Sequence, residues 1–377
     1  MKIVYISNSV IPSQTANSIQ VMRMCEAFAC IGHDVILIAR KLQIARKLQA
    51  KLNIEDICKY YGVKTNFNLL FLPWYFPKLG GIIYLWCSFR VLPKLNPDLV
   101  YARSIYGALS AIFRGFPCIY EAHAPPHNKI HYYLQNILFR SKVFKHLVVI
   151  SKALKQEYQR LYPWIDQNKI RVAHDAANPI GEQERSALSF KRWPGRPGTL
   201  QVGYVGQLYP GKGVELIIEI AKRLPEVDFH VVGGCEIDVN RWKTHVDLPN
   251  LFFHGFVPPG QTPQYLLMCD VLLLPAQYKV STTSTGKGNI SRWMSPLKLF
   301  EYMAAKRAIV ASDLPVLREV LQNERNALLV RPNDITEWVQ ALLKLMHNQK
   351  LRQYLAENAY LDLIEKYTWY QRAKDVL

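Results

Sequence analysis

The sequence predicts an α/β protein built of two Rossmann-like domains. Three observations carry this. Short apolar, strand-like segments alternate with helix-like ones, and the alternation starts again after a polar stretch around residue 190. The chain, at 377 residues, is also long enough for two cores of ordinary size. The two series share no homologous repeat. Half of the residues are hydrophobic (50%) and a fifth are charged (20%), which is the balance of a globular protein rather than a disordered one.

Residues 1–7 (MKIVYIS) alternate as a short buried strand, and they lack the charged start, apolar run and cleavage site of a signal peptide. Val21, Met24, Cys25 and Phe28 fall at helical spacing and predict a helix over 19–30, ended by Gly32-His33. Residues 35–38 are the next strand, which makes a βαβ unit with a right-handed crossover. Strands at 100–101, 118–120 and 147–150 extend the sheet, and 170–172 closes the first domain, taken as 1–178. The stretch 179–200, with Pro194, Gly195, Pro197 and Gly198, reads as a linker. A second domain, taken as 201–360, has strands at 201–205, 229–232, 251–253, 271–274, 309–311 and 327–330, with helices starting at Thr336 and Gln349.

Two segments fit this scheme less directly. Residues 38–43 (IARKLQ) recur at 44–49 and continue through Lys51 as a basic stretch that reads as a solvated helix. Residues 67–92 are rich in aromatic and aliphatic side chains and hold no acid. Pro73, Pro77, Gly80 and Gly81 interrupt them before the roughly 20 apolar residues that a spanning helix needs. A packed core hairpin or an interfacial patch fits instead. The seven cysteines form no C-x-x-C or zinc-like cluster, as expected of reduced thiols in a reducing compartment. Of a net charge of +18, residues 1–180 carry about +14, from 23 Lys/Arg against 9 Asp/Glu. Such asymmetry points to an anionic partner: a membrane surface, nucleic acid or an anionic substrate. No nucleic-acid motif appears, and the aromatics do not alternate with basic residues.

Three motifs carry chemistry. Residues 206–213 (GQLYPGKG) join a strand to a helix. Glycines there let amides approach a phosphate, and Lys212 adds a positive charge where a diphosphate leaving group builds up anion. The plain alternative is a βα turn with a surface lysine. In residues 295–304 (SPLKLFEYMA), Pro296 suits a helix's first turn, leaving amides near Leu297 and Lys298 to grip phosphate. Glu301 stands one turn on, on the side of Lys298, where a carboxylate can accept both ribose hydroxyls. The alternative is a buried helix with a local ion pair. Residues 120–123 (YEAH) follow a strand, so His123 faces the crevice where open α/β sheets bind ligands and can donate a hydrogen bond to a sugar or leaving group. Glu121 caps or pairs locally.

These motifs, the entry helix through Gly32-His33, and the tail from Asn326 to Trp369 together resemble the family-four retaining glycosyltransferases of GT-B fold over nearly the whole chain. The resemblance implies two Rossmann-like domains facing each other across a cleft, with residues 361–377 a helix crossing back to the first domain. It implies transfer of a hexose-type sugar, with retention, from a nucleotide-sugar donor to a glycan or lipid-linked acceptor. The nucleotide sugar is then a substrate, and no cofactor is implied. By this resemblance Lys212 contacts the donor diphosphate with Gly206, Gln207, Ser295, Pro296, Leu297 and Lys298 around it. Glu301 binds the ribose, Phe256 and Val257 contact the base, and His123 lies by the transferred sugar. A loop around Asn17 and Ser18 closes near the reaction centre. The chain has no Asp-x-Asp motif, so no metal is implied. Three departures stand out: Trp293 where many relatives carry a sugar-side glutamate, Gln207 for a common arginine, and Lys306 and Ala308 for glycine and proline. They leave open a non-catalytic nucleotide-sugar-binding paralogue; a nucleotide-sugar epimerase of the same fold is the other alternative, but it needs acidic groups at the sugar that the segment before Glu301 lacks. The basic first half implies a cytoplasmic protein, either peripheral on an anionic membrane face, through Arg40, Lys41, Arg46, Lys47 and Lys51 and the run at 67–92, or a basic soluble enzyme with a water-soluble acceptor.

Overall fold

The computed structural model describes residues 1–40, 53–73, 79–181 and 194–377. They divide into two compact units: Met1–His174 with Trp369–Leu377, and Asp175–Thr368. The N-terminal unit runs β1 (Lys2–Val10), α1 (Ala16–Cys30), β2 (Asp34–Arg40), α2 (Ile54–Tyr61), β3 (Asn68–Leu72), α3 (Gly80–Leu95), β4 (Leu99–Ala102) and α4 (Ile105–Phe113). It continues with β5 (Cys118–Ala122), α5 (Lys129–Phe139), β6 (Phe144–Val149), α6 (Lys152–Leu161) and β7 (Ile170–Val172). Its described strands form one sheet in the order β3-β2-β1-β4-β5-β6-β7, every pair parallel. Helices on both faces explain why its central strands are apolar throughout: Ile3, Val4, Tyr5 and Ile6 of β1 are all fully buried.

The C-terminal unit runs β8 (Gln201–Val205), α7 (Val214–Arg223), β9 (Asp228–Val232), α8 (Glu236–His245), β10 (Leu251–Gly255), α9 (Thr262–Leu267), β11 (Val271–Leu274) and α10 (Leu297–Ala305). β12 (Ala308–Ser312), β13 (Leu328–Val330), α11 (Ile335–His347) and α12 (Gln349–Lys366) complete it. Its described strands are again parallel, in the order β10-β9-β8-β11-β12-β13, over a core that includes Phe229, Leu273, Val310 and Trp338. Because all strands in a sheet point one way, their C-terminal ends lie along one edge, and the loops leaving that edge carry the candidate sites. The last helix, α13 (Trp369–Asp375), returns to the N-terminal unit. It packs on α1, and His146 Nε2 donates to Val376 O at 3.0 Å.

The structure differs from the sequence reading at four places. The units divide at His174/Asp175 rather than after 178, because the Ala177 amide donates to Tyr367 O and ties that segment to the C-terminal unit. Of the predicted linker, 182–193 lie outside the described residues. Arg196 is not linker-like, since its backbone amide and guanidinium both bind the Asp228 carboxylate beside β8. Residues 361–366 do not cross back: they are the end of α12, held on the C-terminal unit by Asp362, which takes Arg325 and Asn326. The run at 67–92 is not a hairpin but edge strand β3 followed by α3. The basic stretch 41–51, with Lys41, Arg46, Lys47 and Lys51, lies outside the described residues, as do 74–78.

Candidate functional site

In the C-terminal unit, the loop after β8 and the start of α10 come together through Lys298. Gly206 has φ 154°, and a Cβ there would stand 2.4 Å from Lys298 Nζ, so glycine makes room for the amine over the strand end. The same amine stands 3.8 Å from the centroid of the Tyr204 ring. Gly213 precedes α7 with φ 89°, and a Cβ there would meet Pro275 O at 2.1 Å. Neither Gly213 before α7 nor Pro296 before α10 supplies a side-chain cap. Two helix starts therefore offer amides to an anion.

Burial pushes the Lys212 amine down to about 8. Burial also holds Lys298 well below the usual lysine range. The neighbouring Lys212 adds to this, and Glu301 on the next turn of α10 opposes it. Lys212, Lys298 and Glu301 are thus one electrostatic group, short of negative charge. An entering diphosphate would favour the charged forms of both lysines. The other predicted donor-side residues are placed as follows. Gln207 accepts from the Tyr204 hydroxyl through its carbonyl at 2.6 Å. Leu297 is buried in the first turn of α10. Ser295 is nearly buried, and its Oγ accepts from the Asp175 amide at 2.8 Å, which makes it an anchor for that segment. Phe256 and Val257 follow the C-terminal end of β10, on the same sheet edge as Gly206.

In the N-terminal unit the organising group is a carboxylate. Glu121, near the end of β5, is 1% exposed. It accepts from Gln20 Nε2 at 2.8 Å, from Arg372 Nη2 at 2.9 Å, from the Tyr101 hydroxyl, and from His123 Nε2 at 2.6 Å. Burial would raise its carboxyl, but Arg372, His123 and Arg103 hold it well below the usual range. Burial, with Arg103 adding to it, lowers His123 to about 4 against the opposing pull of Glu121. A neutral imidazole beside an ionised carboxylate carries its proton on Nε2, so Nδ1 is left as an acceptor. With its N–H engaged by Glu121, His123 offers Nδ1 to the cavity as an acceptor in this form, rather than the expected donor.

Asn17 and Ser18 belong to the first turn of α1 rather than to a loop. Asn17 Oδ1 accepts from Ser9 Oγ at 2.8 Å and from Arg103, while Ser18 is fully buried with its Oγ donating to Ser13 O and Thr15 O. Only Asn17 reaches the cavity of about 440 Å³ at this sheet edge, which Asn8, Arg103, Ser104, Tyr106 and His123 also line. Among the described residues, no three His, Cys, Asp or Glu side chains gather as a metal site.

The pattern of glycosyl transferases group 1 matches residues 188–362, and that of glycosyltransferase family 4 matches residues 18–179. Together the two patterns take in most of the chain and identify it as a glycosyltransferase of group 1 type. An uncharacterized glycosyltransferase of Methanocaldococcus jannaschii is 26% identical over 383 residues, 91% of this chain and 88% of the relative. The sucrose-phosphate synthase of Thermosynechococcus elongatus has a similar fold, with a TM-score of 0.74 at 16% identity, covering 99% of this chain and 96% of that one. The Anabaena HepE protein, in complex with UDP-glucose, has a TM-score of 0.72 at 14% identity, covering 100% and 98%. This glycosyltransferase thus has the GT-B architecture of two parallel α/β units. Its C-terminal motifs were legible in sequence, but Arg372, Tyr101, Gln20 and Arg103 were not. They meet Glu121 and Asn17 only through the fold, and the one local signal was the paired Glu121 and His123.

Proposed function

We propose that the enzyme moves a hexose from a nucleotide-sugar donor, bound by the C-terminal unit, to a glycan or lipid-linked acceptor received by the N-terminal unit, with retention and without a metal. The observation that carries this is the anion-poor group of Lys212 and Lys298 beside two uncapped helix starts, with Glu301 one turn away for the ribose hydroxyls. Preorganised positive charge there stabilises the diphosphate as the glycosidic bond breaks, when its negative charge grows. Front-face attack fits these groups: the acceptor hydroxyl gives its proton to the departing phosphate oxygen, and the new bond forms on the face the diphosphate leaves. His123 Nδ1 orients a hydroxyl of the transferred sugar by accepting from it. The fold shared with HepE in complex with UDP-glucose favours UDP as the carrier.

The reading also places the enzyme on a cytoplasmic, anionic membrane face. No described helix is long and apolar enough to cross a bilayer. In α3, Ile82 and Trp86 are 64% and 55% exposed, and in α5, Ile130 and Tyr133 are 68% and 64% exposed. Arg90 lies over Trp86 and Arg114 over Phe89, which pairs cations with aromatics as a lipid headgroup zone requires. Thermal stabilisation by a panel of UDP-, GDP- and ADP-sugars tests donor binding, because a ligand of the folded state raises its apparent stability. Stabilisation by one nucleotide class, abolished in Glu301→Ala, is expected. No shift with any of them would refute the donor site.

A further inference from the structure

The cavity of the N-terminal unit contains a helix start that lacks its own cap. Ser104 occupies the N-cap position of α4 with extended backbone, φ −116° and ψ 128°, yet its side chain makes no capping bond. Ser104 is 4% exposed and lines the cavity, and its Oγ has no hydrogen-bond partner among the described residues. The first helical bond runs from the Ala108 amide to Ser104 O, so the amides of Ile105, Tyr106 and Gly107 precede it. A serine in this position ordinarily accepts from one of those amides. Here both the hydroxyl and the amides are left for something else.

The lining brings one guanidinium and two facing imidazoles to this helix start. Arg103 is adjacent, and its hydrogen bonds, to Asn17 and Gln20, all use Nη1. Nε and Nη2 have no partner among the described residues. His127 and His131 line the same cavity with their Nδ1 atoms 3.0 Å apart. The one acid in the lining, Glu121, is already balanced by Arg372. A helix start, an unpartnered buried hydroxyl and a guanidinium converge where a tetrahedral anion would satisfy all three.

We propose that this cavity holds a phosphate group of the acceptor, seated on the start of α4 with Ser104 Oγ and Arg103 as donors. The proposal rests on the reading that the N-terminal unit receives the acceptor, and it narrows that acceptor to a phosphorylated one.

The test needs no turnover. In the intact chain, the histidine-ring resonances are followed while inorganic phosphate is added at fixed pH and ionic strength, with chloride as the control. Phosphate, not chloride, is expected to shift the rings of His127 and His131 saturably. Ser104→Ala, which removes no bond of the folded chain, should weaken this about fivefold, and Arg103→Gln about tenfold or more. Lys298→Met, in the other unit, should leave it unchanged while removing nucleotide binding, so failure of the donor reading and failure of this proposal are separable. Absence of a ring response, or an equal response in all variants, overturns the proposal. Displacement of labelled phosphate then identifies the source. Displacement by phosphatidylglycerol vesicles but not glycerol phosphate indicates a lipid headgroup, and the reverse indicates a free phosphorylated polyol or sugar. Displacement by neither reduces the site to an adventitious anion and overturns the proposal.

Discussion

At the scale of single residues, the Glu121–Arg372 pair carries the most. Arg372 is 3% exposed and 251 positions from its partner, and its Nη atoms also reach the Glu121 carboxylate that orients His123. Removing one member of a buried ion pair leaves an uncompensated charge, which costs about 3–5 kcal/mol. Arg372→Met should therefore lower stability by that order in denaturant titrations, and an unchanged midpoint would show that the pair is not structural. Lys212 gives a second expectation. Its amine titrates near 8 in the free protein. Below that pH it is already charged for a diphosphate, and above it binding must take up a proton. Nucleotide affinity should fall as pH rises through about 8, and calorimetry in two buffers of different ionisation enthalpy should detect proton uptake. Lys212, Lys298 and Glu301 were legible in sequence because each lies in a short motif with fixed spacing to a helix start. Arg372 was not, since nothing local marks a helical arginine whose partner lies on a strand 251 positions away.

At the scale of elements, the central strands and the motif-bearing helices followed from apolar spacing, whereas α2, α4, α5, α6, α8 and α9 were not singled out, and β3 and α3 were missed for physical reasons. β3 is an edge strand in which only Leu72 is buried, and its apolar residues (NLLFL) merge into the longer apolar run at 67–92, so nothing local marked it off as a strand. α3 begins at Gly80-Gly81, residues that argue against helix by propensity. Gly81 is kept because a Cβ there would meet the Tyr106 ring at 2.3 Å, which lets α3 lie against α4. The opposite face of α3 bears Trp86 and Ile82. Trp86→Ala should cut partitioning onto phosphatidylglycerol vesicles about tenfold, the scale of leaving one large apolar side chain out of the membrane. High salt should reduce binding as well. Equal binding of wild type and variant in vesicle sedimentation would remove α3 from the membrane face.

At the scale of the whole molecule, several histidines are folded in neutral form. Burial lowers His123, His146 and His254 to about 4 and His230 to about 3. In the unfolded chain they protonate near 6.5. Between those values the unfolded state binds more protons, so the stability they contribute is present above about pH 6.5 and is lost as pH falls through 4. The melting temperature should decline steadily from pH 7 to pH 4.5, and a flat profile would contradict neutral burial. The central claim, that the C-terminal unit's lysines stabilise a departing nucleoside diphosphate, is tested most directly by acceptor-dependent release of that diphosphate in wild type and Lys212→Ala. A loss of roughly a hundredfold or more in the variant's turnover is expected, the scale of one preorganised charge-stabilising group. Wild-type turnover in Lys212→Ala, with the fold intact, would contradict it.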